Sequence, residues 1–187
     1  MFLVPPIPPW DGMHPLVIHF PIALMFVTPL LVVLALVWRR HTRVLLVAAT
    51  LMMLLAAGSA WLATSTGSAA EEFAERVPGA KAILEEHEEL GEATAYFAYA
   101  LAVALAMGTA VFRRWGERTP RGVLIGVGVA YLLANGAGIL VTANTAHQGG
   151  RLVHEVGVRA RLSGNAGAST GAPGHVSKDR ALSEDDD

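Results

Sequence analysis

Histidines are the residues of this chain best suited to chemistry. Five of its seven histidines flank long apolar stretches: His14, His19, His87, His147 and His154. Neutral imidazole is the commonest metal ligand in proteins. His19 also lies several residues inside an apolar stretch, where an ionisable side chain is costly and indicates a functional site. The five residues together predict a metal or haem site, provided that the fold brings them to one face.

Residues that the sequence lacks narrow this chemistry. With no cysteine, the chain cannot form a disulfide, a zinc–thiolate site, an iron–sulfur cluster or a covalent c-type haem attachment. A net charge of −2 argues against nucleic acid as a partner. Phosphate-loop and nucleophile-elbow patterns are missing from the sequence. Its apolar stretches hold no Asp, Glu, Lys or Arg, which argues against an ion pump or a transporter with intramembrane carboxylates. We therefore expect an electron-transfer or membrane-anchor component rather than a stand-alone enzyme.

Four long apolar stretches must position the histidines. The chain is 53% hydrophobic and 16% charged, whereas a soluble domain has about 25% charged residues. About 20 apolar residues cross the hydrocarbon of a bilayer as a helix. The sequence therefore predicts an all-α integral membrane bundle with four transmembrane helices, at about residues 15–38, 44–65, 90–112 and 122–146.

These helices form one predicted transmembrane domain over residues 14–158. Residues 1–13 precede it as a short extracytoplasmic segment. Residues 159–187 are small, polar and charged. Because such a composition cannot bury a core, we predict a disordered C-terminal tail there.

Charged loops predict the orientation. The loops "RRHTR" and "RRWGERTPRG" hold seven arginines and one acid, whereas residues 64–92 hold eight acids against Arg76 and Lys81. By the positive-inside rule, the arginine loops are cytoplasmic, and both termini and the acidic segment lie outside. We expect a multi-pass protein of the bacterial cytoplasmic membrane with the five histidines at its outer face.

His87 belongs to an amphipathic helix that follows a break at Pro78–Gly79. Helical periodicity places His87 on the apolar face, with the glutamates opposite. The Glu-x-x-His pattern of carboxylate di-iron bundles is missing around it. Gly91, one turn later, would leave room for a porphyrin edge.

Two imidazoles from different helices suit the opposite faces of a b-type haem. His19 and His87 are the expected axial pair, with His147 and His14 next, and Arg151 is a candidate partner for a haem propionate. His14 and His19 lie about 140° apart on an ideal helix, but Pro21 predicts a kink that could re-aim His19. The same histidines, with His154, could instead hold a zinc, copper or iron ion.

The fourth stretch carries small residues at every fourth position, a pattern typical of close helix packing in membranes. The row comprises Gly122, Gly126, Ala130, Ala134, Gly138, Thr142 and Ala146. Asn135 is predicted to form a hydrogen bond between helices. A break is predicted at Gly149–Gly150, after His147.

Three motifs carry a family resemblance: "HPLVIHFPIAL", "HEELGEAT" and "HQGGRLVHEVGV". Over residues 13–158 the chain resembles the bacterial membrane family catalogued as domain of unknown function 2231. The resemblance implies four transmembrane helices and a redox role near respiratory electron transfer, beside a Rieske or c-type cytochrome partner. Motif match carries over His14, His19, His87 and His147, whereas the segment around His154 departs from the family pattern.

The sequence therefore predicts a cytochrome-like membrane protein with haem b. It would transfer electrons between a quinol pool and an extracytoplasmic redox partner. Two alternatives remain open at this point, a non-haem metal-binding membrane protein and a non-catalytic anchoring subunit of a respiratory complex. A homo-oligomer or a place in a larger complex is compatible with each.

Overall fold

The computed structural model describes residues 7–160, which form helices joined by short turns. The α-helices are α1 (His14–Val17), α2 (His19–Val37), α3 (Thr42–Glu75), α4 (Lys81–Trp115) and α5 (Arg121–Arg151). Short 3₁₀ turns and one final π turn complete the described chain, at Trp10–Gly12, Arg39–His41, Gly116–Arg118 and Leu152–Val156. The predicted disordered tail, apart from its first two residues, lies outside the described residues.

Four helical segments are long and apolar enough to cross a membrane. They are His14–Val37, Arg39–Glu75, Lys81–Trp115 and Arg121–Val156. Helices adjacent in sequence pack against each other, and α2 also packs against α5 to close the bundle. This confirms the predicted all-α membrane bundle. The N-terminal turn, the α3–α4 turn and the π turn share one end, which we call the histidine end, and the two arginine-rich turns share the other.

α3 extends further than the sequence predicted. The prediction ended this helix near residue 65, but it continues to Glu75 and leaves only a short turn before α4. The extension remains helical because its inner face is covered: Ala74 packs in a small cluster with Ala80, Leu84 and Leu152. The predicted break at Pro78–Gly79 is present, and Gly79 adopts a left-handed φ of 83°.

The first span bends near its start, as Pro21 predicted. α1 and α2 are separated at Ile18, and the amide of Ile22 reaches the carbonyl of Ile18 at a long 3.4 Å. Pro21 lacks the N–H that would continue this ladder, and its ring is incompatible with a straight helix. The bend leaves Pro21 buried against the bundle and His19 exposed.

Small and flexible side chains fill the core. Ala35, Ala49, Ala56 and Ala98 are fully buried and lie in one cluster with two buried methionines. Alanines permit close approach of helix backbones, which is the main source of attraction between helices in lipid. Methionine fills the irregular gaps that remain.

The small-residue row of α5 packs only in part. Gly138 and Thr142 are buried, and a Cβ at Gly138 would lie 3.1 Å from the Met25 side chain. Gly122 and Gly126 face open space instead. The closest approach is at Gly128, outside the predicted row, where a Cβ would lie 2.7 Å from Leu36. The row drifts around the helix, so one neighbour cannot contact all of it.

Asn135 is fully buried in the middle of α5, but the predicted hydrogen bond between helices is not found among the described residues. Neither its amide nitrogen nor its carbonyl oxygen has a partner. The hydroxyl of Tyr131, one turn earlier, is also buried and has no hydrogen-bond partner among the described residues. A buried polar group without a partner destabilises a fold.

Replacing Asn135 by leucine, which has the same branching without polar atoms, should therefore stabilise the protein. We expect Asn135→Leu to raise the free energy of unfolding by about 1–3 kcal/mol, measured by thermal or denaturant unfolding in detergent. The matched control is Asn144→Leu, because Asn144 is exposed and already bonds the Leu140 carbonyl at 3.0 Å. A loss of stability in Asn135→Leu alone would show that Asn135 has a polar partner in the folded protein.

Candidate metal centre

His14 lies at the histidine end, where the chain enters its first span. The 3₁₀ turn Trp10–Gly12 packs on α3 and brings His14 against that helix. The Nδ1 atom of His14 donates to the carbonyl of Ala63 at 2.8 Å, with the Thr66 hydroxyl 3.5 Å away. Because a carbonyl oxygen only accepts, the proton is on Nδ1, and Nε2 of the neutral ring carries the lone pair.

His87 is held in the same way by a different helix. It lies on the inner face of α4, and its Nδ1 donates to the carbonyl of Thr145 on α5 at 2.9 Å. The Thr145 hydroxyl is 3.0 Å from the hydroxyl of Thr94, two turns after His87 on α4, and this contact also joins α4 to α5. The predicted apolar face of this helix is confirmed, since Leu84 and Thr94 are buried. The Nε2 atom of His87 is again the one with a free lone pair.

The two rings are in edge-to-face contact. Their centroids are 6.1 Å apart, and their planes are nearly perpendicular, at 87°. A metal–nitrogen bond is about 2 Å long, so two imidazoles on opposite sides of one metal atom have centroids about 6 Å apart. In addition, a metal-ligating histidine almost always donates its second ring nitrogen to a carbonyl or carboxylate. The centroid distance of His14 and His87 and their Nδ1 hydrogen bonds agree with these two values.

Two glycines allow the rings to lie where they do. A Cβ at Gly67 would lie 3.2 Å from Cε1 of His14, and a Cβ at Gly149 would lie 3.1 Å from Cε1 of His87. These glycines are not among the site residues predicted from the sequence. The helix break predicted at Gly149–Gly150 is wrong, because α5 continues through both residues to Arg151. The signal that could have found them is a glycine in each helix that faces a candidate histidine.

The other predicted site residues lie elsewhere on the surface. His19, His147 and His154 are exposed. Within residues 7–160, no group of three or more histidine, aspartate or glutamate side chains is arranged to hold a metal ion. The histidine pair that the structure brings together is thus His14 with His87, and the expected pair of His19 with His87 is not in contact.

Arg151 and Gly91, the remaining predicted site residues, contact neighbours other than the two rings. Arg151 donates to Glu155 through Nε at 3.0 Å and to Gln148 through Nη1 at 3.0 Å. A propionate at this arginine would compete with Glu155 for the same donor. A Cβ at Gly91 would make only ordinary contact, 3.9 Å from the Thr145 methyl. The glycine is therefore not needed for the packing of α4 on α5.

Carboxylates surround the histidine end. Glu88 follows His87 on α4 and is partly buried. Its carboxylate is repelled by the like charges of Glu71 and Glu75 on α3 and of Glu92 on α4. Two of the acids outside this group form exposed i,i+4 ion pairs, Arg76 with Glu72 and Lys81 with Glu85. Residues 64–92 hold eight acids against Arg76 and Lys81, so this end of the bundle has an excess of negative charge that favours a positively charged group nearby.

Comparison with known proteins gives one match. The family model described as a predicted membrane protein, DUF2231, matches residues 11–161. This match covers most of the chain, so the chain belongs to that family. No curated protein and no solved structure matches it.

The glycine contacts give a test that requires no ligand. Replacing a helical glycine by alanine normally stabilises a helix by about 1 kcal/mol, so we expect this gain for Gly150→Ala, which meets nothing within 4 Å. Gly149→Ala should lose most or all of it, because the new methyl group must displace the His87 ring. Unfolding measurements on the two variants check this.

The same comparison is available on α3. Gly67 contacts His14, whereas a Cβ at Gly58 would meet nothing within 4 Å. Equal gains in stability for Gly67→Ala and Gly58→Ala, together with equal gains for Gly149→Ala and Gly150→Ala, would contradict the described positions of the two rings.

Proposed function

We propose that this member of the membrane family binds one haem b through His14 and His87 and serves in electron transfer. The observation that carries the proposal is the pair of imidazoles whose Nδ1 atoms donate to backbone carbonyls while both Nε2 atoms stay available. Such a hydrogen bond fixes the tautomer and the ring orientation and makes the imidazole a stronger ligand.

The number of donors favours haem over a bare ion. Structural zinc takes four protein ligands, and catalytic zinc takes three. The described part of the chain has two converging imidazoles and no third donor beside them. Because the porphyrin supplies most ligands of its iron, a haem would require at most two from the protein, and His14 and His87 would provide them. A two-histidine site suits that requirement.

The surroundings fit a haem in charge and in polarity. When bound, the haem would supply one-electron redox chemistry at its iron. The chain's own part is to hold and orient the ligands, and the carboxylates near His87 favour the extra positive charge of the oxidised state. Both rings are partly buried and hydrogen-bonded to backbone carbonyls, and burial and hydrogen bonding of this kind set the potential of such centres.

The membrane context extends the proposal to partners. Seven arginines at one end and the acidic surface at the other support an orientation with the histidine end outside the bacterial cytoplasmic membrane. A haem there would be close to the outer surface. It could take electrons from a quinol in the bilayer and pass them to an extracytoplasmic redox protein, for which a Rieske or c-type cytochrome partner is proposed.

Substitution of the histidines tests the ligand assignment. The full-length protein, purified in mild detergent from cells supplied with a haem precursor, should show a Soret band and a reduced-minus-oxidised spectrum. His14→Ala and His87→Ala should each lose most of the bound haem, because each removes one axial bond. His19→Ala and His147→Ala are the matched controls, and both should retain haem because those side chains are exposed.

Three results would contradict the proposal. A wild-type protein that binds no haem, even after addition of haemin, refutes it. Loss of haem in His19→Ala but not in His14→Ala would assign the axial pair differently. Elemental analysis that finds zinc or copper in stoichiometric amount, with no Soret band, would favour the non-haem alternative.

A further inference from the structure

The arginine-rich end of the bundle contains a groove between α3 and α4, far from the histidine pair. Two adjoining cavities form it, of about 310 and 500 Å³. Both are lined by Arg43 and Arg113, which makes them one continuous groove. The remaining lining residues are Val44, Val47, Ala110 and Arg114.

The guanidinium groups of this groove form no ion pair with the side chains that the structure describes. All ion pairs between described side chains lie elsewhere, on Arg76, Lys81 and Arg151. Arg43, Arg113 and Arg114 are exposed. Like charges held close together in this way repel each other, and an anion placed between them relieves the repulsion.

Apart from its arginines, the lining of the groove is apolar and lies on the membrane-spanning parts of α3 and α4. Val44 is 69% exposed, and Val47 and Ala110 continue the apolar surface along the helices toward the bundle centre. Trp38 and Trp115 are exposed at the same end, where aromatic residues mark the boundary between headgroups and hydrocarbon. The groove therefore has positive charge at headgroup level and an apolar track below it.

We propose that this groove binds an anionic phospholipid. Its phosphate is held by Arg43 and Arg113, with Arg114 beside them, and one acyl chain lies along Val44, Val47 and Ala110. Guanidinium groups bind phosphate oxygens through paired hydrogen bonds, and basic pockets between transmembrane helices are known to bind acidic headgroups. A free phosphate would use the arginines but not the apolar wall, so the two-part lining favours a lipid. The proposal is independent of haem binding.

Native mass spectrometry of the full-length protein in detergent tests the proposal. The probes are phosphatidylglycerol, phosphatidylcholine and inorganic phosphate. We expect the wild-type protein to retain one phosphatidylglycerol in preference to phosphatidylcholine. The double variant Arg43→Gln/Arg113→Gln should bind it about thirtyfold more weakly, at roughly fivefold per basic residue near the headgroups.

A charge-matched control separates the groove from the general positive charge. Arg40→Gln/Arg121→Gln removes two arginines at the same end that do not line the groove, and it should change the affinity less than about threefold. Val47→Phe keeps every charge but places a larger side chain in the apolar part of the groove, so it should weaken lipid binding. It provides a second test that does not depend on whether the double arginine variant folds.

The proposal is overturned by any of three results. Equal weakening in the groove and control double variants means that the attraction is only general charge. Displacement of the lipid by millimolar inorganic phosphate means that the groove is a simple anion site. Unchanged binding in Val47→Phe means that the lipid does not occupy the groove.

Discussion

The hydrocarbon of a bilayer offers no hydrogen-bond partner, and the whole structure depends on this constraint. Backbone groups are satisfied within four long helices, and threonine hydroxyls inside them bond to carbonyls of their own helix, as Thr28 does to Leu24 and Thr142 does to Gly138. The two inward imidazoles follow the same rule. Each donates its Nδ1 proton to a helix carbonyl, and this leaves the opposite ring nitrogen for a ligand.

These two hydrogen bonds also explain why the histidine end forms a defined site. One joins the entry of the first span to α3, and the other joins α4 to α5. The rings are therefore held by backbone atoms of continuous helices, which are rigid supports for a functional site. The excess of acidic residues near the histidine pair and the basic groove at the far end give the bundle two chemically different ends.

Part of this structure could be predicted from the sequence. Four features depend on local composition or geometry: the number of spans, the inner face of the helix around His87, the break at Pro78–Gly79 and the bend near Pro21. The sequence does not reveal whether His14 or His19 faces His87. A helix in lipid is apolar on every side, so its pattern does not show which face packs against its neighbours. The glycines beside the rings and the length of α3 likewise depend on neighbouring helices.

The central proposal is that His14 and His87 would together hold one haem. Low-temperature electron paramagnetic resonance of the oxidised haem-loaded protein tests it most directly. Two imidazoles with nearly perpendicular planes should give a strongly anisotropic low-spin ferric signal, one spin per chain, that His14→Ala abolishes. A high-spin signal in the wild-type protein, which indicates a single axial ligand, or a low-spin signal unchanged in His14→Ala would contradict the account.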